Sequence, residues 1–362
     1  MTGKLRDDNG GRLASPEWLC AAGPDAEIIL STRARLARNI ADHRFTPSAS
    51  PAERGEIFAE IASSFAKDSR LAGFDCTNFI TATSLSRRLL VEKRIASPEL
   101  LSGQGDRGVA WSGTPFASIL INEEDHLRIQ CIEPGCNPLS AWKRADEIDD
   151  RLGGNLSYAY TEHRGYLTCR PDNSGTGLRI SFLMHLPGLV LTRAIESVLS
   201  GASRMGIASR GFFGEHEVIG NFFQLSNRAS PAQDESACIE EAQKIILEVA
   251  AHERSARRRL MKDARIELTD KVFRAWGILQ HARMLSVAEF MNLSSALRLG
   301  IECEILPVKA PGDLNKALIQ VLPAHLQHRA KKRLGETDLA VMRAEVVRTM
   351  VLRKIRKPRT ET

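Results

Sequence analysis

The 362-residue sequence has no long apolar run. Its most hydrophobic stretch, around Phe182 to Leu191, is broken by His185 and Pro187. It falls short of the roughly 18 residues that a membrane-spanning helix needs. The opening string MTGKLRDDNGGR is polar and carries no apolar core, so neither an export signal nor a membrane partner is expected. Aromatic residues make up only 6% of the chain, and none flanks the densest basic runs, His328 to Arg333 and Arg353 to Arg359. Nucleic-acid binding, which combines basic patches with stacking rings, is therefore not expected. The seven cysteines are odd in number and scattered, and the closest pair, Cys131 and Cys136, lacks the spacing of a zinc knuckle. A disulfide framework and a protein-held metal are not expected; a reducing, cytoplasmic setting is. There is no Walker-type glycine-lysine loop and no H-R-D or D-F-G string, which excludes the commonest ways of handling a nucleotide.

What is present is globular. Hydrophobic residues are 43%, charged residues 26%, and 50 Lys plus Arg against 44 Asp plus Glu leaves a mild net charge of +6. That composition excludes disorder as a whole-chain class, and the length suits two domains. Residues 1–22 are aperiodic and read as a flexible leader. Residues 23–254 alternate short β-rich runs with turns and a few helices. Ala117 to Glu124 and His126 to Glu133 pattern as two strands around a turn at Asp125, with Leu127, Ile129 and Cys131 on one face and Arg128 and Gln130 on the other. Further strands are expected at 165–168, 177–184, 205–210 and 221–225, and a helix over Gly188 to Leu199 with Pro187 in its first turn. From Asp234 the pattern turns helical, with Ile239, Ala242, Ile246 and Val249 on one stripe and prolines 307, 311 and 323 breaking later segments. The expected class is α+β: an antiparallel sheet flanked by helices, followed by an all-α domain over 255–362.

Five arginines stand in polar, turn-flanked settings: Arg33, Arg35, Arg128, Arg179 and Arg210. Arg33 and Arg35 are two apart, so on an extended segment both point to one side. Arg179 follows the turn Asn173 to Gly177, and Arg210 precedes Gly211-Phe212-Phe213-Gly214-Glu215. Glycines let a backbone approach a ligand, and guanidinium forks bind phosphate bidentately. Several converging forks suit a triphosphate. Taken singly, each arginine is more often an ordinary surface ion-pair residue. Carboxylates sit in the same neighbourhoods, at Glu123, Glu124 and Asp125 beside Arg128, and at Glu215 near Arg210. They read either as solvated acidic turns or as a pair that holds a cationic substrate against a nucleotide.

The strings STRAR (Ser31 to Arg35), NEEDHLR (Asn122 to Arg128), NSGTGLR (Asn173 to Arg179) and RGFFGE (Arg210 to Glu215) resemble, in order, the signatures of the ATP:guanido phosphotransferases. With HLPGLVLT (His185 to Thr192), QLSN (Gln224 to Asn227) and PAHLQ (Pro323 to Gln327), the resemblance is to the bacterial protein arginine kinases of the McsB type. It runs from about residue 25 to about residue 350. Only 30 residues precede Ser31, too few for the helical domain that phosphagen kinases carry there, and a helical domain follows instead.

The resemblance implies an ATP-dependent kinase of protein arginine side chains, linked to protein quality control. Glu124 and Glu215 would be the paired catalytic carboxylates. Nucleotide contacts would come from Ser31, Thr32, Arg33, Ala34, Arg35, Arg94, Arg128, Arg179, Ile180, Ser181, Phe182 and Leu183, and from Arg210, Gly211, Phe212, Phe213, Gly214 and Glu215. ATP would bring Mg2+ on its phosphates. Protein substrates with exposed arginines, an activator protein, the Clp protease system and a homodimer through the helical domain are the implied partners. Three departures stand out. Arg170 occupies the position of a reactive cysteine, with Cys169 one residue earlier; Arg94 replaces a nucleotide-contacting histidine in the string Glu92-Lys93-Arg94; Leu339 and Ala340 replace the first Arg and the Asp of a C-terminal R-D-x-x-R-A motif. The cation at Arg170 is expected either to pair with phosphate or to repel the substrate guanidinium. The alternatives left open are a catalytically impaired, ATP-binding regulator and a small-molecule guanidino kinase.

Overall fold

A computed structural model describes residues 17–112, 116–212, 218–228, 234–306 and 311–351. The strands are β1 (Ile29–Arg38), β2 (Asp75–Asn78), β3 (Gly108–Ser112), β4 (Ala117–Ile121), β5 (Leu127–Pro134), β6 (Tyr160–Thr161), β7 (Gly165–Tyr166), β8 (Leu178–His185), β9 (Ile207–Gly211) and β10 (Phe222–Asn227). Helices of the first part are α1 (Pro51–Lys67), α2 (Ser84–Glu92), α3 (Pro98–Ser102), α4 (Pro138–Gly153), α5 (Pro187–Leu191) and α6 (Ile195–Arg204). Those that follow are α7 (Glu235–Asp263), α8 (Arg265–His281), α9 (Val287–Glu302), α10 (Pro311–Gln320), α11 (Pro323–Ala330) and α12 (Glu336–Val346).

Among the described residues eight strands form one sheet in the order β2-β3-β4-β5-β1-β8-β10-β9, with antiparallel neighbours throughout. Central strands alternate as their sequences predict: Ala34, Leu36, Ile129, Cys131, Ile180 and Phe182 face a first core built with α1, α4, α6 and α7. The stripe Ile239, Ala242, Ile246 and Val249 of α7 packs into the same core. A second core, on the other side, joins Leu30, Leu120, Ile132, Leu183 and Phe222 to the helices from α8 onward. Trp18 and Leu19, each 1% exposed, belong to it, so the aperiodic start ends in an anchored pair.

Two expected boundaries move. The strand over 117–124 stops at Ile121, because Asn122 takes a left-handed φ of 55° and its N–H donates to His126 O, closing the turn. The single helix over 188–199 is two: Thr192 Oγ1 donates to Gly188 O at 2.8 Å and Arg193 turns left-handed at φ 59° before α6 starts. Residue 255 lies within α7, which therefore carries the chain from the sheet into the helical region. The junction is hydrogen-bonded throughout. Arg257 of α7 donates to His185 O (3.2 Å), and the His185 Nε2–Ser295 Oγ and Asn221 Nδ2–Ser295 Oγ contacts (2.8 and 2.9 Å) tie the end of β8 and the start of β10 to α9. Glu253 accepts from the N–H groups of Gly188 and Leu189 (2.9 and 2.8 Å), capping α5; a Cβ at Gly188 would come within 2.9 Å of that carboxylate.

Arg38, at the end of β1, is fully buried between Tyr166, whose ring lies 3.5 Å away, and Asp149 of α4, which accepts from Nε and Nη2 at 2.9 and 2.6 Å. A Cβ on Gly177 (φ 67°) would meet Arg38 Nη1 at 2.6 Å, so the glycine-rich turn is seated on this pair. Removing one member strands a buried charge, which costs about 3–5 kcal/mol. Asp149→Ala is therefore expected to lose that much stability in urea denaturation, whereas Arg70→Ala, in an exposed pair with Glu147, is expected to stay within about 0.5 kcal/mol of the native value.

Candidate active site

The sheet face opposite the first core gathers the arginines. On β1, Ser31, Arg33, Arg35 and Ala37 point to it, and Thr32, Ala34 and Leu36 point away. The register sets Arg35 between Gln130 of β5 and Arg179 of β8, Arg33 beside Ser181, and Ala37 beside Arg128. Adjacent strands lie about 4.8 Å apart, so three of these cations occupy neighbouring rungs. Arg94 reaches the same face from the turn after α2. It has a left-handed φ of 61°, and its carbonyl accepts from Gln130 Nε2 at 2.9 Å. Its guanidinium donates to Phe212 O at 2.8 Å and lies 4.1 Å over the Phe212 ring. Arg210, exposed on β9, pairs in register with Gln224 and completes the rim. The arginines of this face, with Ala37 and Gln130, line a cavity of about 1040 Å³.

The charge balance inside is lopsided. Burial, followed by repulsion from Arg94, Arg128 and Arg179, brings the Arg33 guanidinium down to about 9. Burial first, then Arg33, Arg128 and Arg179, hold Arg35 well below its ordinary value. Both remain cations at neutral pH. Arg33 Nε donates to Ser181 Oγ (3.3 Å), Arg179 Nη2 donates to Ser226 Oγ (2.9 Å), and Arg35 Nε is buried with no hydrogen-bond partner among the described residues. The nearest acids are committed elsewhere: Arg128 is clamped by Glu123 and by Glu124, the latter at 3.0 Å, and Glu123 also accepts from Ser97. Among the described residues the cavity lining carries more arginines than acids, a balance suited to an anionic ligand.

Glu124 is the acid at the open end, with its side chain 31% exposed. Burial pushes its carboxyl above the ordinary value of 4.5, against the pull of Arg128. Its second oxygen lies 3.7 Å from Arg170 Nε. Arg170 thus lies close to this acid. Cys169 does not take its place: its thiol donates to Glu124 O at 2.8 Å, and burial pushes it well above its ordinary value.

Of the residues expected here, the cavity brings together Arg33, Arg35, Arg94, Arg128, Arg179, Arg210, Gly211, Phe212 and Glu124. Ser31 and Ser181 share the face without lining it. The side chains of Thr32, Ala34, Ile180 and Phe182 face the opposite way: Thr32 Oγ1 donates to Gly135 O and the other three are core. Leu183 packs in the second core. Phe213, Gly214 and Glu215 lie outside the described residues. Sequence reasoning did not assign Ser97, Asn173, Asn227 or Arg228 to the cavity, which they line; Asn173 and Asn227 sit at the ends of quoted strings, and Gln130 follows from Arg128 by strand alternation. His126 and His185 are structural. His126 Nδ1 accepts from Ile40 N and Nε2 donates to Arg44 O; His185 is fully buried. No cluster of three or more His, Cys, Asp or Glu with metal-binding geometry occurs among the described residues.

The helical region closes one end of the cavity. Glu92, the last residue of α2, accepts from Ala324 N (2.8 Å), His325 N (3.0 Å) and His325 Nδ1 (2.7 Å), capping α11, and Leu322 lines the cavity wall. Arg343 is 4% exposed and donates to Val321 O and Leu285 O at 2.9 and 2.6 Å, so its guanidinium is spent on backbone.

Comparison with known proteins agrees with this geometry. The profile described as ATP:guanido phosphotransferase, C-terminal catalytic domain, matches residues 56–256, and that described as protein-arginine kinase McsB C-terminal domain matches 265–362. Proteins named protein-arginine kinase from Pelotomaculum thermopropionicum, Geobacillus thermodenitrificans and Bacillus subtilis are 37%, 39% and 36% identical. The alignments cover 92%, 91% and 92% of this chain and 95%, 92% and 93% of theirs. The fold is that of lombricine kinase (TM-score 0.56, 20% identity, 67% of this chain and 71% of that one). It is also that of a duplicated taurocyamine kinase from Schistosoma mansoni (TM-score 0.56, 21% identity, 78% and 47%).

Crowding of like cations is relieved by an anion. Tripolyphosphate at a hundredfold excess over its Kd is expected to stabilise the protein by about 2.7 kcal/mol, read as a rise in Tm beyond that from chloride of equal ionic strength. Arg35→Ala is expected to raise the Tm of the anion-free protein and to shrink the tripolyphosphate gain. Equal shifts with the two salts would count against the site.

Proposed function

The chain belongs to the ATP:guanido phosphotransferase family, and from that membership we propose that it phosphorylates arginine side chains of proteins at the cleft of Glu124 and the clustered arginines. The observation that carries the reading is that Arg33, Arg35, Arg94, Arg128, Arg179 and Arg210 line one cavity together with the partly exposed carboxylate of Glu124. The helical region matched to the protein-arginine kinase group, and the full-length similarity to proteins of that name, favour a protein substrate over a small guanidine.

A protonated guanidinium has no lone pair available to attack phosphorus. Glu124 is suited to align the substrate guanidinium and take its proton while an Nη–P bond forms and the bond from phosphorus to the bridging oxygen of ADP breaks. Arg33, Arg35, Arg128 and Arg179 are suited to hold the phosphate oxygens in place, with Arg94 and Arg210 at the rim. Both acids beside Arg128 are held by it, so Mg2+ would travel on the phosphates and lower the charge that builds on them. Glu215 is proposed as the second carboxylate on the strength of its place in the RGFFGE string. The product is a protein phosphoarginine, in which a cation has become an anion.

The wider setting belongs to the same proposal. A catalytic part over residues 23–254 and a helical part from 255 are supported by the matched segments, which meet between 256 and 265. Seven free cysteines suit a cytoplasmic location. A homodimer through the helical part, an activator protein, and coupling to the Clp protease system and protein quality control rest on the resemblance. A second reading, an ATP-binding regulator without turnover, is favoured by one observation, the contact of Arg170 with Glu124.

Incubation with Mg-ATP and an arginine-rich protein, followed by mass spectrometry, is expected to give acid-labile phosphoarginine. Glu124→Gln is expected to lower kcat by about 10²–10⁴ while ATP still binds. Because the protonated acid cannot accept the substrate proton, and burial raises its pKa, activity is expected to fall as pH drops through a point above 4.5. A native chain that binds ATP and leaves every arginine unmodified would establish the regulator reading instead.

A further inference from the structure

Arg170 stands between Cys169 and Pro171 on braced backbone. Its carbonyl accepts from Thr168 Oγ1 (2.7 Å) and Asn173 N (2.9 Å), and Cys169 N donates to Asp125 Oδ1 (2.7 Å), the neighbour of Glu124. The side chain is 59% exposed, lines the same cavity as the phosphate-facing arginines, and brings Nε to 3.7 Å from Glu124 Oε1. Arg128 holds the other oxygen, Oε2, at 3.0 Å. Oε1 is thus the atom left for an incoming guanidinium, and a guanidinium of this chain already faces it. An exposed pair at this distance is weak and readily displaced. A displaced Arg170 stays at the mouth, held there by its backbone, close to wherever the residues flanking the target arginine must lie.

Resting on the function proposed above, we infer that Arg170 is a specificity-determining residue that selects target arginines with acidic neighbours and disfavours those flanked by lysine or arginine. An aspartate or glutamate beside the target brings an opposite charge to Arg170, whereas a basic neighbour adds a second like charge to the mouth. The effect falls on substrate binding rather than on the chemical step.

Two peptides, each with one arginine flanked by either aspartates or lysines, are compared on the full-length native protein, Arg170→Ala and Arg170→Glu. Phosphoarginine formation gives kcat and KM, and calorimetry on protein loaded with Mg2+ and a non-hydrolysable ATP analogue gives Kd. The native protein is expected to favour the acidic peptide by about two- to five-fold in KM and Kd, the range of an exposed ion pair. Arg170→Ala is expected to remove its share of that preference and Arg170→Glu to reverse it, with affinity for the nucleotide analogue unchanged. A Kd ratio that is the same in all three proteins overturns the inference. Absence of phosphoryl transfer by the native protein would instead strike the functional reading, because the calorimetric ratio is read without turnover.

Discussion

Like charges held side by side are the constraint around which this protein is arranged. Arg35 and Arg179 face each other across β1 and β8, Arg33 sits one step along, and Arg94 and Arg128 close the group. Left alone, such a set repels itself and resists burial. The fold tolerates it because each cation grows from backbone it cannot leave. Two arginines are on the central strand of an eight-stranded sheet and two on its immediate neighbours, while Arg94 is pinned through its own carbonyl.

That rigidity comes from what lies behind and beside the cleft. The alternate residues of the same strands, Ala34, Leu36, Ile180 and Phe182, are buried in the first core, so sliding β1 or β8 by one residue would bring arginines into hydrocarbon. Below the cleft, the Arg38–Asp149 pair and Gly177 seat the turn that leads into Arg179. At the far end of β8, Arg257 and Ser295 bind it to the helical region. Each device limits motion of the strand that carries the charges, and one of them, Gly177, also lines the cavity.

Much of this was legible in the residues. Period-two alternation put Arg33 with Arg35 and Arg128 with Gln130, and the stripe of α7 was readable from its three-and-four spacing. Strings taken whole from a family are coarser than alternation: STRAR and RISFL each bring along residues that point to the opposite core, and only the pleat separates Arg33 from Thr32 or Arg179 from Ile180. Local chemistry moved two boundaries, through the left-handed Asn122 and Arg193. The contact of Arg170 with Glu124 was not legible, since strand logic places a backbone but does not say which of two oxygens an exposed guanidinium will approach. Nor was the role of Glu92, whose partner on α11 lies 232 residues later.

Glu92 has a consequence beyond the helix it caps. The same three-residue string that ends α2 begins with the carboxylate gripping α11 and finishes with the guanidinium lying over Phe212. A tilt of α11 therefore tugs a segment only two residues from a cleft cation. This short link joins the helical region to the cleft, in addition to the hydrogen bonds of Arg257 and Ser295 at the end of β8.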